Sequence, residues 1–141
     1  MKLIKPLNEN TLDEFVVVLS EINEEPLLTE VIQRLKDDFL RNHYRGFLQY
    51  EDEKICGVAI VVEAYSAIHA RKILILDELY IRKEFRQKGL GKVLFDHIVE
   101  YAKGSKFMRL EWRTEKGNIT AQDFYSHYEA DTDWIFYAMK L

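Results

Sequence analysis

The stretch from residue 82 to residue 92 combines basic side chains with glycines, and this combination suits the binding of an anion. Its basic residues are Arg82, Lys83, Arg86, Lys88 and Lys92, in a chain whose formal net charge is −4. Gly89 and Gly91 let the backbone approach a ligand closely, and the N–H groups at a helix start bind anions. The stretch therefore predicts a polyphosphate or pyrophosphate site. The alternative is an ordinary strand-to-helix turn with solvated lysines.

Two common phosphate-binding motifs do not fit this stretch. A P-loop would need glycine in place of Arg86 and serine or threonine in place of Val93. A dinucleotide fingerprint would need its third glycine in place of Leu94. Residues 86–91 instead read Arg-Gln-Lys-Gly-Leu-Gly, between a strand-like apolar run and a helical pattern.

This Arg/Gln-x-x-Gly-x-Gly/Ala element resembles the acetyl-CoA-binding motif of the GNAT superfamily of N-acetyltransferases. A second element, Asn118-x-x-Ala121-x-x-Phe124-Tyr125, is similar to the Asn-x-x-Ala-x-x-Phe-Tyr helix of the same family. The resemblance covers nearly the whole chain. It implies the GNAT α/β fold, a twisted mixed sheet of about six or seven strands flanked by helices.

The resemblance implies a role for each matching residue, with acetyl-CoA as the acetyl-donor cosubstrate. The end of the fourth strand would pair with the pantetheine amides through the backbone of Leu79, Tyr80 and Ile81. The pyrophosphate would lie against the loop residues Arg86, Gln87, Lys88, Gly89, Leu90, Gly91 and Lys92. Asn118 would help to position the cofactor, and Tyr125 would bind it and protonate the departing CoA thiolate.

A narrower resemblance points to the diamine and polyamine acetyltransferase branch. The sequence Asp77-Glu78 followed by Leu-Tyr-Ile is similar to the acidic pair in the fourth strand of that branch. The resemblance implies Asp77 as the general base. Strand alternation places Asp77 on the face of Leu79 and Ile81, and Glu78 on the face of Tyr80. An ion-paired structural role for Asp77 is an equal alternative, and a structural role is favoured for Glu78.

The reaction implied is acetyl transfer from acetyl-CoA to a primary amine of a small diamine, polyamine or amino-acid-like molecule. An amine can attack a thioester directly, so the protein must align the reactants, accept one proton and stabilise the leaving thiolate. Acids between the first two helices, at Glu21, Glu24, Glu25 and Glu30, suit a cationic acceptor or simply a solvated loop. The alternatives are acetylation of protein N-termini or lysines, and a catalytically silent acyl-CoA-binding domain.

Hydrophobic periodicity predicts the elements that must position these residues. Strands are expected at 2–7, 47–50, 55–63, 72–81, 108–112 and 134–141. Helices are expected after a Thr11-x-x-Glu14 capping box, over 28–39, from Leu90 to a stop at Gly104, and over 118–128.

Composition predicts one folded domain over residues 1–141. The chain has 48% hydrophobic and 31% charged residues, and its negative net charge argues against nucleic-acid or membrane partners.

Its one cysteine, Cys56, cannot form an internal disulfide, and residues 1–11 show no apolar core of a signal peptide, so a cytoplasmic location is expected. The histidines lack ligand spacing, so no metal is expected. The aromatic run at 134–137, together with the family resemblance, predicts a homodimer.

Overall fold

A computed structural model of the chain describes residues 2–23 and 25–141. The strands are β1 (Lys2–Pro6), β2 (Arg45–Glu51), β3 (Lys54–Ser66), β4 (Arg71–Ile81) and β5 (Leu110–Trp112). The helices are α1 (Leu12–Ile22), α2 (Thr29–Leu40), α3 (Leu90–Gly104) and α4 (Ile119–Tyr125), with single 3₁₀ turns at Glu9–Thr11 and Lys83–Phe85. No helix among the described residues is both long and apolar enough to cross a bilayer.

The sheet is mixed, as predicted, and its strands lie in the order β1-β2-β3-β4-β5. The first four strands pair antiparallel, whereas β5 pairs parallel with β4. Within the described residues the sheet has five strands, fewer than the expected six or seven. The predicted strand at 134–141 is not formed, because this segment pairs with no strand of its own sheet.

Helices cover both faces of the sheet, which explains why β3 is apolar on both sides. On one face α3 contributes Leu94, Phe95 and Ile98 to a core that also contains Leu74 and Leu76 of β4. On the other face α1 and α2 pack against the sheet through a second core, whose members include Leu12, Phe15, Val18, Leu35 and Phe39. Burying each such side chain stabilises the fold by about 1.5–3 kcal/mol.

One predicted helix start differs in the structure, and one predicted helix end is confirmed. The capping box lies one turn earlier than expected. The Asn8 side chain accepts from the backbone N–H of Asn10 at 2.8 Å, and the Asn8 N–H donates to Thr11 Oγ1 at 3.1 Å. The helix α3 ends at Gly104, as predicted, and the left-handed residue that follows it is Lys106, where φ is 60°.

Candidate active site

The sheet opens along the second half of β4. On the side that faces β3, β4 is paired as far as Ile81, which lies opposite Gly57. On the side that faces β5, β4 is paired only over Leu74–Leu76. Among the described residues, the backbone of 77–81 therefore has no strand neighbour on that side. Leu79, Tyr80 and Ile81, the residues predicted to pair with pantetheine amides, all lie along this opening.

The glycine loop follows directly at the end of β4 and leads into α3. Gln87 and Gly89 both have left-handed backbone conformations, with φ of 63° and 76°. Gly89 is the N-cap of α3 and, having no side chain, leaves the first N–H groups of the helix without a side-chain cap among the described residues. A Cβ added at Gly89 would meet nothing within 4 Å, and one at Gly91 would meet only Ile81 Cγ1 at 3.8 Å. The loop thus offers open space and unpaired donors, which fits a pyrophosphate.

Arg86 fastens this loop to the end of β4. Its Nε donates to the carbonyl oxygen of Ile81 at 2.8 Å, and its guanidinium lies 5.3 Å from the centre of the Tyr80 ring. Lys88 Nζ lies 3.9 Å from Glu51, and Lys92 Nζ lies 2.6 Å from Asp96. These ion pairs are exposed and weak, so both lysines can turn toward an anion at little cost.

Arg82 has a structural role that its place in the basic cluster does not suggest. It donates to both carboxylate oxygens of Glu21, at 3.0 Å from Nε and 2.9 Å from Nη2. It also donates from Nη1 to the carbonyl oxygen of Ile55 at 3.1 Å. Arg82 therefore ties α1 to the end of the sheet. Glu21, one of the acids proposed for a cationic acceptor, is held in this pair.

Leu90 and Gln49 fix the start of α3. The Leu90 side chain is 1% exposed, so only its backbone can serve the predicted cofactor site. The fully buried side chain of Gln49 donates from Nε2 to the carbonyl oxygen of Leu90 at 3.2 Å. The sequence analysis missed Gln49. The available signal was one amide between apolar residues in the buried strand Phe-Leu-Gln-Tyr.

Tyr125, at the end of α4, is half-buried in an aromatic cluster. Its ring centre lies 5.2 Å from that of Phe95 and 5.4 Å from that of Trp112. Burial raises the pKa of the Tyr125 phenol, and the carboxylate of Glu78 raises it further. The phenol is therefore protonated at neutral pH and available as a proton donor. The structure brings two predicted catalytic residues, Tyr125 and Glu78, within electrostatic reach of each other.

A β-bulge at Asp77 interrupts the alternation on which its prediction depends. Ile60 lies opposite Glu78 and Val61 opposite Leu76, so Asp77 has no partner on β3 and its side chain is exposed. Glu78 is half-buried, and burial raises the pKa of its carboxyl group. The charge of Asp77 raises it as well, while a hydrogen bond from the backbone of Leu79 acts in the opposite direction.

Asn118 and Tyr128 anchor the two ends of α4. Asn118 Oδ1 accepts from the backbone N–H of Ala121 at 3.1 Å, so Asn118 is the helix cap. Tyr128 donates its hydroxyl to Asp96 of α3 at 2.7 Å. Together these contacts hold Tyr125 against α3, and a direct role of Asn118 toward the cofactor stays a prediction.

The remaining candidates contribute less. Glu25, in the segment between α1 and α2, and Glu30, the second residue of α2, are both exposed. Glu24 lies outside the described residues. Cys56 is buried in β3. Among the residues described by the structure, no group of three or more His, Cys, Asp or Glu could hold a metal ion.

The opened edge of β4 and the glycine loop that follows it form the arrangement expected of a transferase that uses a CoA thioester. The sequence matches the Acetyltransferase (GNAT) family over residues 11–128, so the chain belongs to this family. It is thus an acetyl-CoA-dependent N-acetyltransferase, and the predicted fold class is confirmed.

Similar proteins of known name agree with that assignment. This chain is 27% identical over 117 residues to thialysine N-epsilon-acetyltransferase of Caenorhabditis elegans, covering 80% of this chain and 72% of the relative. It is 25% identical over 79 residues to the L-ornithine N5-acetyltransferase of Arabidopsis thaliana, covering 56% of this chain and 35% of the relative. The crystal structure of a ribosomal-protein-alanine N-acetyltransferase from Brucella melitensis shares the fold, with a TM-score of 0.83, 17% identity and full coverage of both chains.

Replacing Gly91 by glutamate is expected to weaken CoA binding without unfolding the protein. A Cβ at Gly91 makes only an ordinary contact with Ile81. A carboxylate about 4 Å from a phosphate costs roughly 1 kcal/mol in water and roughly 4 kcal/mol near a protein surface. Affinity for CoA, measured by calorimetry, should therefore fall by about tenfold or more.

Gly104→Glu is the matched control for this prediction. It places the same side chain at the other end of α3, where a Cβ meets nothing within 4 Å. Its CoA affinity should equal that of the unmodified protein. Equal CoA affinity in Gly91→Glu and Gly104→Glu would contradict the assignment of the loop.

Proposed function

We propose that this enzyme acetylates the primary amine of a small cationic acceptor, a diamine, polyamine or amino-acid-like amine. The observation that carries the proposal is the place of the half-buried Glu78 on the part of β4 that has no β5 neighbour, within electrostatic reach of Tyr125. Both groups have raised pKa values, Glu78 through burial and Asp77, and Tyr125 through burial and Glu78. One group can accept a proton and the other can donate one, which is the division that amine acetylation needs.

Glu78 is proposed as the proton acceptor for the attacking amine. A lysine-like ammonium has a pKa of about 10.4, so an acceptor of this kind arrives protonated and cannot attack a carbonyl. A carboxylate whose pKa is raised is a stronger base than an ordinary one, and it also attracts the cation before reaction. The proton moves from the ammonium to Glu78 directly or through a bound water.

Tyr125 is proposed as the proton donor to the thiolate. Once the amine nitrogen has bonded to the acetyl carbon, the carbon–sulfur bond breaks and the sulfur leaves as a thiolate. The Tyr125 hydroxyl gives its proton to that sulfur and yields the free thiol of CoA. The new amide nitrogen loses its surplus proton, which restores the Tyr125 phenol directly or through solvent. Leu79, Tyr80 and Ile81 would align the thioester along the open edge of β4, and the loop from Arg86 to Lys92 would hold the pyrophosphate.

The preference for a small acceptor is supported by the names of two relatives, which act on thialysine and on ornithine. Each of these substrates carries an alkyl ammonium group. The proposed site itself carries Asp77 and Glu78 side by side. The protein N-terminus or lysine remains the second candidate acceptor, because the fold is shared with a ribosomal-protein-alanine N-acetyltransferase.

A panel of acceptors tests the proposal. Release of free CoA thiol from acetyl-CoA should be fastest with diamines, polyamines, ornithine or lysine analogues, and slow with peptides that carry a free N-terminus or an internal lysine. Mass spectrometry of the product identifies the acetylated nitrogen. Faster turnover of peptides would replace the proposed acceptor class, and CoA binding without turnover of any amine would indicate a silent binding domain.

The proposal includes a homodimer in the cytoplasm. A reducing compartment is supported by a sequence with one cysteine, which the structure buries in β3. The homodimer is supported by the exposed aromatic side chains near the end of the chain.

A further inference from the structure

We propose that Gln49 is a positioning residue for the CoA pyrophosphate, which holds the glycine loop in its binding geometry without touching the ligand. The proposal rests on the assignment of the loop from Arg86 to Lys92 to the pyrophosphate. Gln49 lies in β2 and is completely buried. Its Nε2 donates to the carbonyl oxygen of Leu90, the first residue of α3, at 3.2 Å.

An amide is an unfavourable group in the surroundings of Gln49. Its neighbours Phe47 and Leu48 in β2 and Val58 in β3 are buried and apolar. Among the described residues, no other amide, hydroxyl or charged side chain is buried, and Gln49 Oε1 has no hydrogen-bond partner. An unpaired buried oxygen destabilises a fold, so an apolar side chain of similar size would suit the packing better. What an apolar side chain cannot provide is the hydrogen bond to Leu90.

The middle of β3 leaves space for this amide. Gln49 lies opposite Gly57, and Gly57 lies opposite Ile81 at the end of β4. A Cβ at Gly57 would lie 2.9 Å from Gln49 Oε1 and 2.6 Å from Ile81 Cδ1, so both side chains depend on a glycine between them. This row of three residues meets the loop at both of its ends. Gln49 contacts Leu90, and the Ile81 carbonyl accepts from Arg86 at 2.8 Å.

The glycine loop needs such support because its own contacts are few. Gln87 and Gly89 have left-handed backbone conformations, and residues 87–89 are exposed. Backbone N–H groups bind a ligand well only when they are held in the productive geometry, and a loop that becomes ordered on binding loses affinity. The bond from Gln49 fixes the start of α3 to the sheet, and so keeps the N–H groups that follow Leu90 in place before CoA binds.

Gln49→Met tests this hydrogen bond with little change in size. Methionine cannot donate, so the dissociation constant of CoA, measured by calorimetry well below the melting temperature, should rise about threefold to tenfold. KM for acetyl-CoA should rise with it, whereas kcat should change little because Glu78 and Tyr125 keep their contacts. Leu48→Met is the matched control, since Leu48 is equally buried in β2 but packs in the second core. Its CoA affinity should equal that of the unmodified protein.

Gln49→Glu adds a readout that packing alone would not move. A carboxyl group can donate to the Leu90 carbonyl only while it is protonated, and burial raises its pKa. The CoA dissociation constant of Gln49→Glu, divided by that of the unmodified protein at the same pH, should therefore fall toward one as the pH is lowered. The same ratio for Gln49→Met should not depend on pH.

Two results would overturn the positioning role. One is a CoA affinity of Gln49→Met that equals that of Leu48→Met, and the other is a ratio for Gln49→Glu that does not change with pH. If Gln49→Glu does not fold, the two methionine variants decide. If Gly91→Glu weakens CoA binding and Gln49→Met does not, only the role of Gln49 is wrong. If neither variant weakens CoA binding, the assignment of the loop is wrong as well.

Discussion

Tyr125→Phe is expected to lower kcat for amine acetylation by about a hundredfold to ten-thousandfold, the usual contribution of a general acid. The substitution removes the proton donor but keeps the ring, whose contacts with Phe95 and Trp112 involve no hydroxyl hydrogen bond. CoA affinity and the melting temperature should therefore change little. Steady-state kinetics with the best amine of the panel, together with calorimetry, measures both effects.

Tyr128→Phe is the control for this prediction. Tyr128 belongs to the same aromatic cluster, since its ring centre lies 4.6 Å from that of Phe95. Its hydroxyl is hydrogen-bonded to Asp96, so its loss should cost about 1 kcal/mol of stability. It should lower kcat far less than the loss of the Tyr125 hydroxyl, because Tyr125 keeps its ring contacts and its proton. Equal kcat in Tyr125→Phe and the unmodified enzyme would reduce Tyr125 to a packing residue.

The glycine loop and its elements were predictable because their signals are local. The apolar run of β4, the left-handed glycine at 89 and the periodicity of α3 all lie within one short stretch. The pattern could not show that the Arg82 side chain binds Glu21 and is therefore not available to the loop, because Glu21 lies 61 residues away in the sequence. Gln49 was missed for the same reason, since its partner Leu90 is 41 residues away.

The errors of the sequence analysis have physical causes of the same kind. Alternation along β4 could not show the bulge at Asp77, because a bulge is defined by pairing with the neighbouring strand β3. Residues 134–141 have the composition of a strand, but a strand also needs a neighbour to pair with, and this segment pairs with none among the described residues. The sequence therefore predicted the strand propensity of residues 134–141 correctly and their pairing wrongly.

Glu78→Gln is expected to lower kcat/KM for amines by about a hundredfold to ten-thousandfold at neutral pH. In the unmodified enzyme kcat/KM should fall as the pH drops through the raised pKa of Glu78, because protonation removes the base. Glutamine keeps the size of the side chain and cannot titrate, so this acidic limb should disappear. A profile of kcat/KM against pH with the best amine measures both effects.

Asp77→Asn is the matched variant and has a distinct signature. The charge of Asp77 helps to raise the pKa of Glu78, so its removal should shift the acidic limb to lower pH. Its effect on the maximal rate should be much smaller than that of Glu78→Gln. If Asp77→Asn instead removes the limb and Glu78→Gln keeps it, Asp77 is the base. If both keep the unmodified profile, solvent removes the proton.

Stability separates this catalytic effect from damage to the fold. The pKa of Glu78 is higher in the folded protein than in the unfolded chain, so the folded state holds the proton more tightly. Its contribution to stability therefore falls as the pH rises from the unfolded pKa through the raised folded pKa. Glutamine cannot ionise, so Glu78→Gln removes the loss of stability that ionisation of Glu78 causes at higher pH. Thermal unfolding at neutral pH should therefore show a variant at least as stable as the unmodified enzyme. A less stable variant would indicate that Glu78 serves the fold, whereas lost activity with retained stability is the expected mark of a base held in an unfavourable environment.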